Sequence, residues 1–297
     1  MINFKVKRIM LPYDFSANAN KAVSHAAFIA SLLKADLYLV HVINKSELVD
    51  IILPLMKLKT NKVVVDMVNE RLGDAAAKIR KEYGITPRTI VSTGNVTTEL
   101  VNLAEENKID LIIMGTQGKD SKSDLFLGST AYRLITKAPV PVMTIKDLVS
   151  KKGYQNILMP IDFSEHSRQK VNYVISLAKA FSAKITVLGI YDEDEKADKF
   201  KLEIIAKQIA ALCEKKGVLC EHFIDKTNHR VSKTISFAKK HKNDMIVTMT
   251  DQKLDGARGI LSTYDHEIVH TAKIPIISIQ PEYSDNLGTG GTAGVPF

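Results

Sequence analysis

The chain has 297 residues, 45% of them hydrophobic and 25% charged, with no Trp. This is the composition of an ordinary soluble globular protein, and the length allows two domains that each bury a core. The net charge is +8, but Lys and Arg are scattered singly and in pairs, without a basic run or interleaved aromatics, which argues for a solvated surface and against nucleic acid.

The opening stretch "MINFKVKRIMLPYDF" has no long apolar leader-like run and passes directly into a strand pattern. No apolar stretch approaches the roughly 20 residues of a membrane helix. The two cysteines, Cys213 and Cys220, have a spacing that fits no metal or redox motif. A cytoplasmic chain with free thiols and no membrane partner is expected. In the first half, strands are predicted near 6–11, 36–42, 87–92, 110–114 and 140–145. Helices are predicted near 17–34, 61–83, 97–107 and 129–138. Continuous Ile- and Val-rich runs alternating with amphipathic segments predict a doubly wound α/β fold, a parallel sheet covered on both faces. In such folds ligands bind at the carboxyl ends of the strands, where the winding reverses.

The chain repeats itself. "RIMLPYDFS" at 8–16 returns as "NILMPIDFS" at 156–164, "IDLIIMGT" as "NDMIVTMT", and "APVPVMTIK" as "AKIPIISIQ". A repeat of this length is the most informative feature of the sequence. It divides the chain into 1–150, 151–282 and a Gly-rich tail, 283–297, expected to be loosely attached. The halves differ between the second and third strands. The first carries an additional "SELVDIILPLMKLKT", read as either a lid or a segment packed on the other half.

The first half also contains "MGTQGKDSKSDLFLGST" at 114–130. Gly115, Gly118 and Gly128 are spaced G-x2-G-x9-G, with Ser129 and Thr130 directly after. The run leaves a buried strand and enters a helix. Glycines there let backbone N–H groups approach an anion, and the helix N-terminus adds partial positive charge. Ser129 can cap that helix or donate to a phosphate oxygen. The run matches neither a Walker A loop nor a G-x-G-x-x-G fingerprint.

On these residues the chain resembles a tandem universal stress protein. The matching stretches are "PYDFS" and "PIDFS", "VHV" closing the second strand, the glycine run, and "PVPVMTI" as the last strand. The resemblance implies two five-stranded domains of the adenine nucleotide alpha hydrolase-like type, paired through their last strands as an intrachain pseudo-dimer. It further implies ATP as ligand, with Mg²⁺ an accompanying ion. By position, Asp14 would sit near the ribose or a phosphate-bound Mg²⁺. Pro12 and Val42 would border the adenine, and Tyr13 is also among the cofactor-binding positions. Met114, Gly115, Gln117 and Gly118 would wrap ribose and phosphates, and Gly128, Ser129 and Thr130 would hold the terminal phosphates. For Asp14 and Ser16 the alternative is helix capping, since the second half keeps Asp162 and Ser164.

The second half departs from the motif. Aligned from Asp110 and Asp244 without a gap, Gly115 faces Met249, Gly118 faces Gln252 and Gly128 faces Ser262. Side chains there are expected to fill the space of the phosphates and to disfavour positive φ. One nucleotide site, in residues 1–150, is therefore expected.

"HEIVH" at 266–270 has the form of a zinc-protease motif, with His266 and His270 as ligands and Glu267 as base. Its counterpart in the first half, "YRLIT", has no metal ligand, and no third ligand follows in sequence. Three readings stand side by side. The first is an ATP-binding stress or regulatory protein without dedicated catalysis, slow ATP hydrolysis being compatible with it. The second is a scaffold for protein partners with a vestigial nucleotide site, alone or as a homodimer. The third, remote, is a zinc hydrolase.

Overall fold

The computed structural model describes residues 5–44, 61–116, 127–147, 153–191, 196–250 and 262–281. The first half runs β1 (Arg8–Pro12), α1 (Ala17–Leu33), β2 (Asp36–Ile43), α2 (Asn61–Tyr83), β3 (Arg88–Thr93), α3 (Val96–Glu106), β4 (Leu111–Gly115), α4 (Ser129–Lys137) and β5 (Val142–Ile145). These are the elements that hydrophobic patterning predicts, with ends shifted by no more than two residues. β5 starts late because Pro141 has no N–H to donate to a ladder; its carbonyl still accepts from Ile112 N at 3.0 Å.

The second half runs β6 (Asn156–Ile161), α5 (Glu165–Gln169), α6 (Val171–Phe181), β7 (Lys184–Tyr191), α7 (Lys196–Lys215), β8 (Cys220–Lys226), α8 (Arg230–Lys240), β9 (Met245–Met249), α9 (Thr263–Thr271) and β10 (Ile276–Ile279). The repeat extends to small devices. Asp110 accepts from Lys7 N and Arg8 N at 2.7 and 2.8 Å, and Asp244 accepts from Gln155 N and Asn156 N at 2.7 and 3.1 Å. Each carboxylate ties the amino end of one strand to the start of its neighbour. α1 and α6 both end on a left-handed residue, Lys34 (φ 53°) and Ser182 (φ 53°), whose N–H turns back to the last helical carbonyls.

All ten strands form one sheet, in the order β3-β2-β1-β4-β5-β10-β9-β6-β7-β8. Every pairing is parallel except β5 with β10. There Thr144 faces Ile276, Met143 faces Ile277 and Val142 faces Ser278. Met143 and Ile277 are counterparts in the repeat, so a pseudo-twofold axis passes through this pair. The expected pairing through the last strands is what the structure shows. Thr144 Oγ1 donates to Ile276 O at 3.4 Å across the seam, and Gln280 Nε2 to Ile135 O at 3.2 Å.

Each sheet face carries an apolar layer running through both halves. One includes Ile9, Leu11, Leu39, Ile113, Ile157, Val187 and Val247 beneath α1, α2, α6 and α7. The other includes Met10, Val40, Ile112, Leu134, Leu158, Ile246 and Ile268 beneath α3, α4, α8 and α9. Near-continuous burial along β2, β4, β7 and β9 reflects helices on both faces. Among the described residues, no helix is long and apolar enough to cross a membrane. The segment 46–60, expected as lid or packing, and the tail 283–297 lie outside the described residues.

Candidate functional site

In the first half β1 lies between β2 and β4, so the winding reverses beside it, and the carboxyl ends of these strands are where such sheets bind ligands. Pro12 closes β1, and Tyr13 N continues onto Val40 O at 2.8 Å. Pairing of β1 with β2 stops at Pro12 and Val40, so β2 continues past the end of β1. Val42 lies there, 7% exposed and paired on its other side with Ser92. Met114 and Gly115 end β4, and Thr116 N extends that strand onto Ile145 O at 3.1 Å. Pro12, Tyr13, Asp14, Val42, Met114, Gly115, Gly128, Ser129 and Thr130 thus lie along one end of the sheet. Gln117 and Gly118 fall outside the described residues.

Asp14 and Ser16 do build a turn, as the capping alternative requires. Asp14 Oδ1 accepts from Ser16 N at 3.0 Å, and Ser16 Oγ accepts from Ala19 N at 3.0 Å as N-cap of α1. Asp162 and Ser164 repeat this at 2.9 and 3.1 Å. Between Asp14 and Ser16 the halves differ. Phe15 adopts a left-handed φ of 62°, whereas Phe163 is not among the positive-φ residues. A bulky residue in that region is strained, and such strain concentrates at functional sites. Neighbours hold Phe15 in place: Tyr13 at 5.2 Å and His41 at 4.9 Å between ring centroids, with the Arg71 guanidinium 4.5 Å above the ring. His41 Nδ1 bonds Tyr13 O at 2.7 Å, and Tyr13 Oη donates to Asn20 Oδ1 at 2.6 Å. Burial, then the Asp14 charge, pushes the Tyr13 phenol up from its usual value.

The glycines have separate duties. A Cβ on Gly115 would meet Asn18 O at 3.0 Å and Asn18 Cβ at 3.1 Å, so glycine lets the first turn of α1 approach the end of β4. Gly128 N donates to Thr116 O at 2.8 Å, which ties the start of α4 to the end of β4. Neither has a positive φ, so the part of the expectation that invoked positive φ does not apply to these two positions; close approach is the reason at Gly115. A second correction concerns Ser129. Gly128 is the N-cap of α4, and Ser129 is its first helical residue, exposed and not capping. The N-cap residue therefore has no side chain to offer, and no acidic residue lies in the first turn. The N–H groups of Ser129, Thr130 and Ala131 precede the first intrahelical bond, from Tyr132 N to Gly128 O at 2.9 Å.

In the second half the corresponding helix end is closed by its own side chains. Ser262, in the place of Gly128, caps α9 by accepting from Asp265 N at 3.1 Å. Asp265, in the place of Ala131, is 1% exposed and accepts from Ser262 Oγ at 2.7 Å and Thr248 Oγ1 at 3.2 Å. Lys170, in the place of Ala22, is 2% exposed and donates to Ser167 Oγ at 3.2 Å. Burial pushes its ammonium down to about 8, against the opposing pull of Asp162 and Asp265. Tyr264, opposite Thr130, shares a 3.2 Å hydrogen bond with Thr234. Burial, together with the charges of Asp265 and Asp162, raises its phenol. Sequence alignment exposed the lost glycines but not this cluster, because Lys170 and Asp265 lie far apart in the chain.

His266 and His270 do lie on one helix, over buried Ile268 and Val269. Their surroundings belong to the seam between the halves. The His266 ring packs edge-on against Tyr132, its own counterpart, at 6.0 Å, and Lys146 Nζ donates to His270 O. Both are half-buried against the first half. Among the described residues no three His, Cys, Asp or Glu side chains converge to hold a metal.

A parallel sheet whose winding reverses beside its first strand, with helices on both faces, defines the class: a doubly wound α/β fold present twice. The universal stress protein family model matches residues 5–146 and again 153–280, so the chain belongs to the universal stress protein family. It is 33% identical to universal stress protein MJ0531 of Methanocaldococcus jannaschii over 143 residues, 47% of this chain and 82% of that protein. It is also 33% identical to universal stress protein MJ0577 of the same organism, over 47% of this chain and 94% of that protein. A universal stress protein structure from Archaeoglobus fulgidus superposes with a TM-score of 0.74 at 19% identity, covering 93% of this chain and 99% of that one. This last likeness concerns the fold alone.

Proposed function

We propose that this is a nucleotide-responsive universal stress protein with one adenine-nucleotide site, in the 1–150 domain, and that residues 151–282 form a domain that takes no nucleotide. The observation that carries this is the contrast between α4 and α9. α4 starts at a glycine without acidic residues in its first turn, at the end of the sheet where the winding reverses. α9 starts at a serine cap with a buried carboxylate already in its first turn. Phosphate at the start of α4 would meet N–H groups and the positive end of the helix dipole. Phosphate at the start of α9 would meet Asp265.

In this reading ATP is the ligand. Val42 and Pro12 border the adenine, Asp14 faces the ribose or a phosphate-bound Mg²⁺, and Met114, Gly115, Gln117 and Gly118 follow the ribose and phosphates. Gly128, Ser129 and Thr130 hold the terminal phosphates. The residues suit binding more than turnover. Asp14 is occupied in building a turn, and no base with an orienting partner stands beside it among the described residues. The protein would report nucleotide state to a partner rather than process it.

Hydrogen exchange with and without Mg-ATP tests this. Slower exchange is expected at 127–132 and at 12–16, with 262–267 unchanged. Protection of 262–267 to the same extent would overturn the one-site reading.

A further inference from the structure

Among the described residues, five other than glycine have a left-handed φ. Four stand just past helix ends and come in repeat pairs: Lys34 (53°) with Ser182 (53°), and Lys108 (50°) with Lys242 (54°). Phe15, at 62°, lies in the turn between β1 and α1 and has no such partner, because Phe163 is not left-handed. The flanking Asx turn and helix cap are the same in both halves, so they do not cause the difference.

The neighbours do differ. Pro12 pairs with Val40 and Pro160 with Leu188, so Ile161 stands in the place of Tyr13 and Gly189 in that of His41. The space beside Gly189 is taken, since a Cβ there would meet Ile224 Cδ1 at 2.6 Å. The buried rows of the two helices, Leu72-Ala75-Ile79 on α2 and Ala206-Ile209-Cys213 on α7, have the same spacing. Matching them puts Ile205 in the place of Arg71. Two rings and one guanidinium surround Phe15, and all three are replaced in the half where the phenylalanine relaxes.

We propose that Arg71 is a positioning residue for the nucleotide site: with His41 it clamps Phe15 in the left-handed region and so fixes the turn that carries Asp14. This rests on the nucleotide reading above. A bulky side chain stays at positive φ only where its surroundings over-determine it. His41, buried on β2, holds the inner side through its ring and through Nδ1 to Tyr13 O at 2.7 Å. Arg71, exposed on α2, closes the outer side with its guanidinium 4.5 Å above the ring. The turn is thereby ordered before a ligand arrives, and binding does not carry the cost of ordering it. A cation on the surface of α2 is thus coupled to the nucleotide without touching it.

Glycine takes the left-handed region unaided, so Phe15→Gly removes the need for the clamp. Mg-ATP is titrated calorimetrically into the wild type, Arg71→Ile, Phe15→Gly and the double variant. Arg71→Ile should weaken binding on the order of tenfold, with its thermal midpoint unchanged in the absence of nucleotide. Arg71→Lys, which keeps a cation over the ring, should lie between the wild type and Arg71→Ile. In the Phe15→Gly background, Arg71→Ile should change the affinity by less than about twofold. Equal binding by the wild type and Arg71→Ile, or an equal loss in both backgrounds, would overturn this proposal alone. So would loss of binding in Phe15→Gly itself, because the ring would then be a contact and not a support. Absence of binding to the wild type would overturn the nucleotide reading, and this proposal with it.

Discussion

Asp265 and Lys170 illustrate how two residues can set one half of a repeat apart from the other. The first half has Ala131 and Ala22 at these places; the second has a carboxylate and an ammonium, 1% and 2% exposed. A buried charge is costly to desolvate, and more costly still when its counter-charge is removed. Asp265→Ala should therefore destabilise the chain in urea denaturation by about 1–3 kcal/mol, because Ser262 and Thr248 lose their acceptor and Lys170 loses the second of its two counter-charges. Lys170→Ala should also be costly. The double variant, which restores the alanine pair of the first half, should lose at least about 1 kcal/mol less than the sum of the two. Additive losses would show that the residues do not form a unit.

At the scale of elements, Gly115 is where the backbone of α1 comes up against the end of β4. A Cβ there would stand 3.0 Å from Asn18 O, in contact with backbone rather than with the end of a flexible side chain. Gly115→Ala should cost about 1–3 kcal/mol of stability by overpacking, measured without nucleotide. An unchanged midpoint would mean that the glycine answers to the ligand alone. The second half has Met249 at this place, and its first helix is interrupted at Lys170, between Glu165–Gln169 and Val171–Phe181. The sequence of that segment reads as one helix, because nothing local breaks the pattern. Strands and most helices were legible for the opposite reason: burial on both faces imposes continuous apolar runs such as "DLIIM". The site was half legible. Glycine spacing pointed to the end of β4, but a helix start depends on which residue turns first. Local preference favours Ser129 as cap, whereas the bond from Gly128 N to Thr116 O makes Gly128 the cap instead.

Across the whole molecule, the two halves join at the β5–β10 seam and again where the linker returns. His25, 1% exposed on α1, bonds Tyr154 Oη through Nδ1 and Asp147 O through Nε2 at 2.7 Å. Gly153, at φ 69°, lets this segment pass against the Phe28 ring, and Tyr154 packs on Phe28 and Phe181. Burial pushes the His25 imidazole below its usual value, against the opposing effect of Asp147. The unfolded chain therefore binds a proton at His25 more readily than the folded one. This contribution to stability is complete above the ordinary histidine value of about 6.5 and is lost as pH falls from there to the lowered folded value. The denaturation midpoint of the wild type should fall more between pH 7 and pH 5 than that of His25→Gln. Parallel profiles would remove His25 from the account.

The central claim is one nucleotide site per chain, in the first half. Calorimetric titration of Mg-ATP into the wild type, Gly118→Val and Ser262→Gly tests it most directly. The account predicts one site per chain, lost in Gly118→Val and unchanged in Ser262→Gly. Two sites per chain, or binding that survives Gly118→Val, would contradict it.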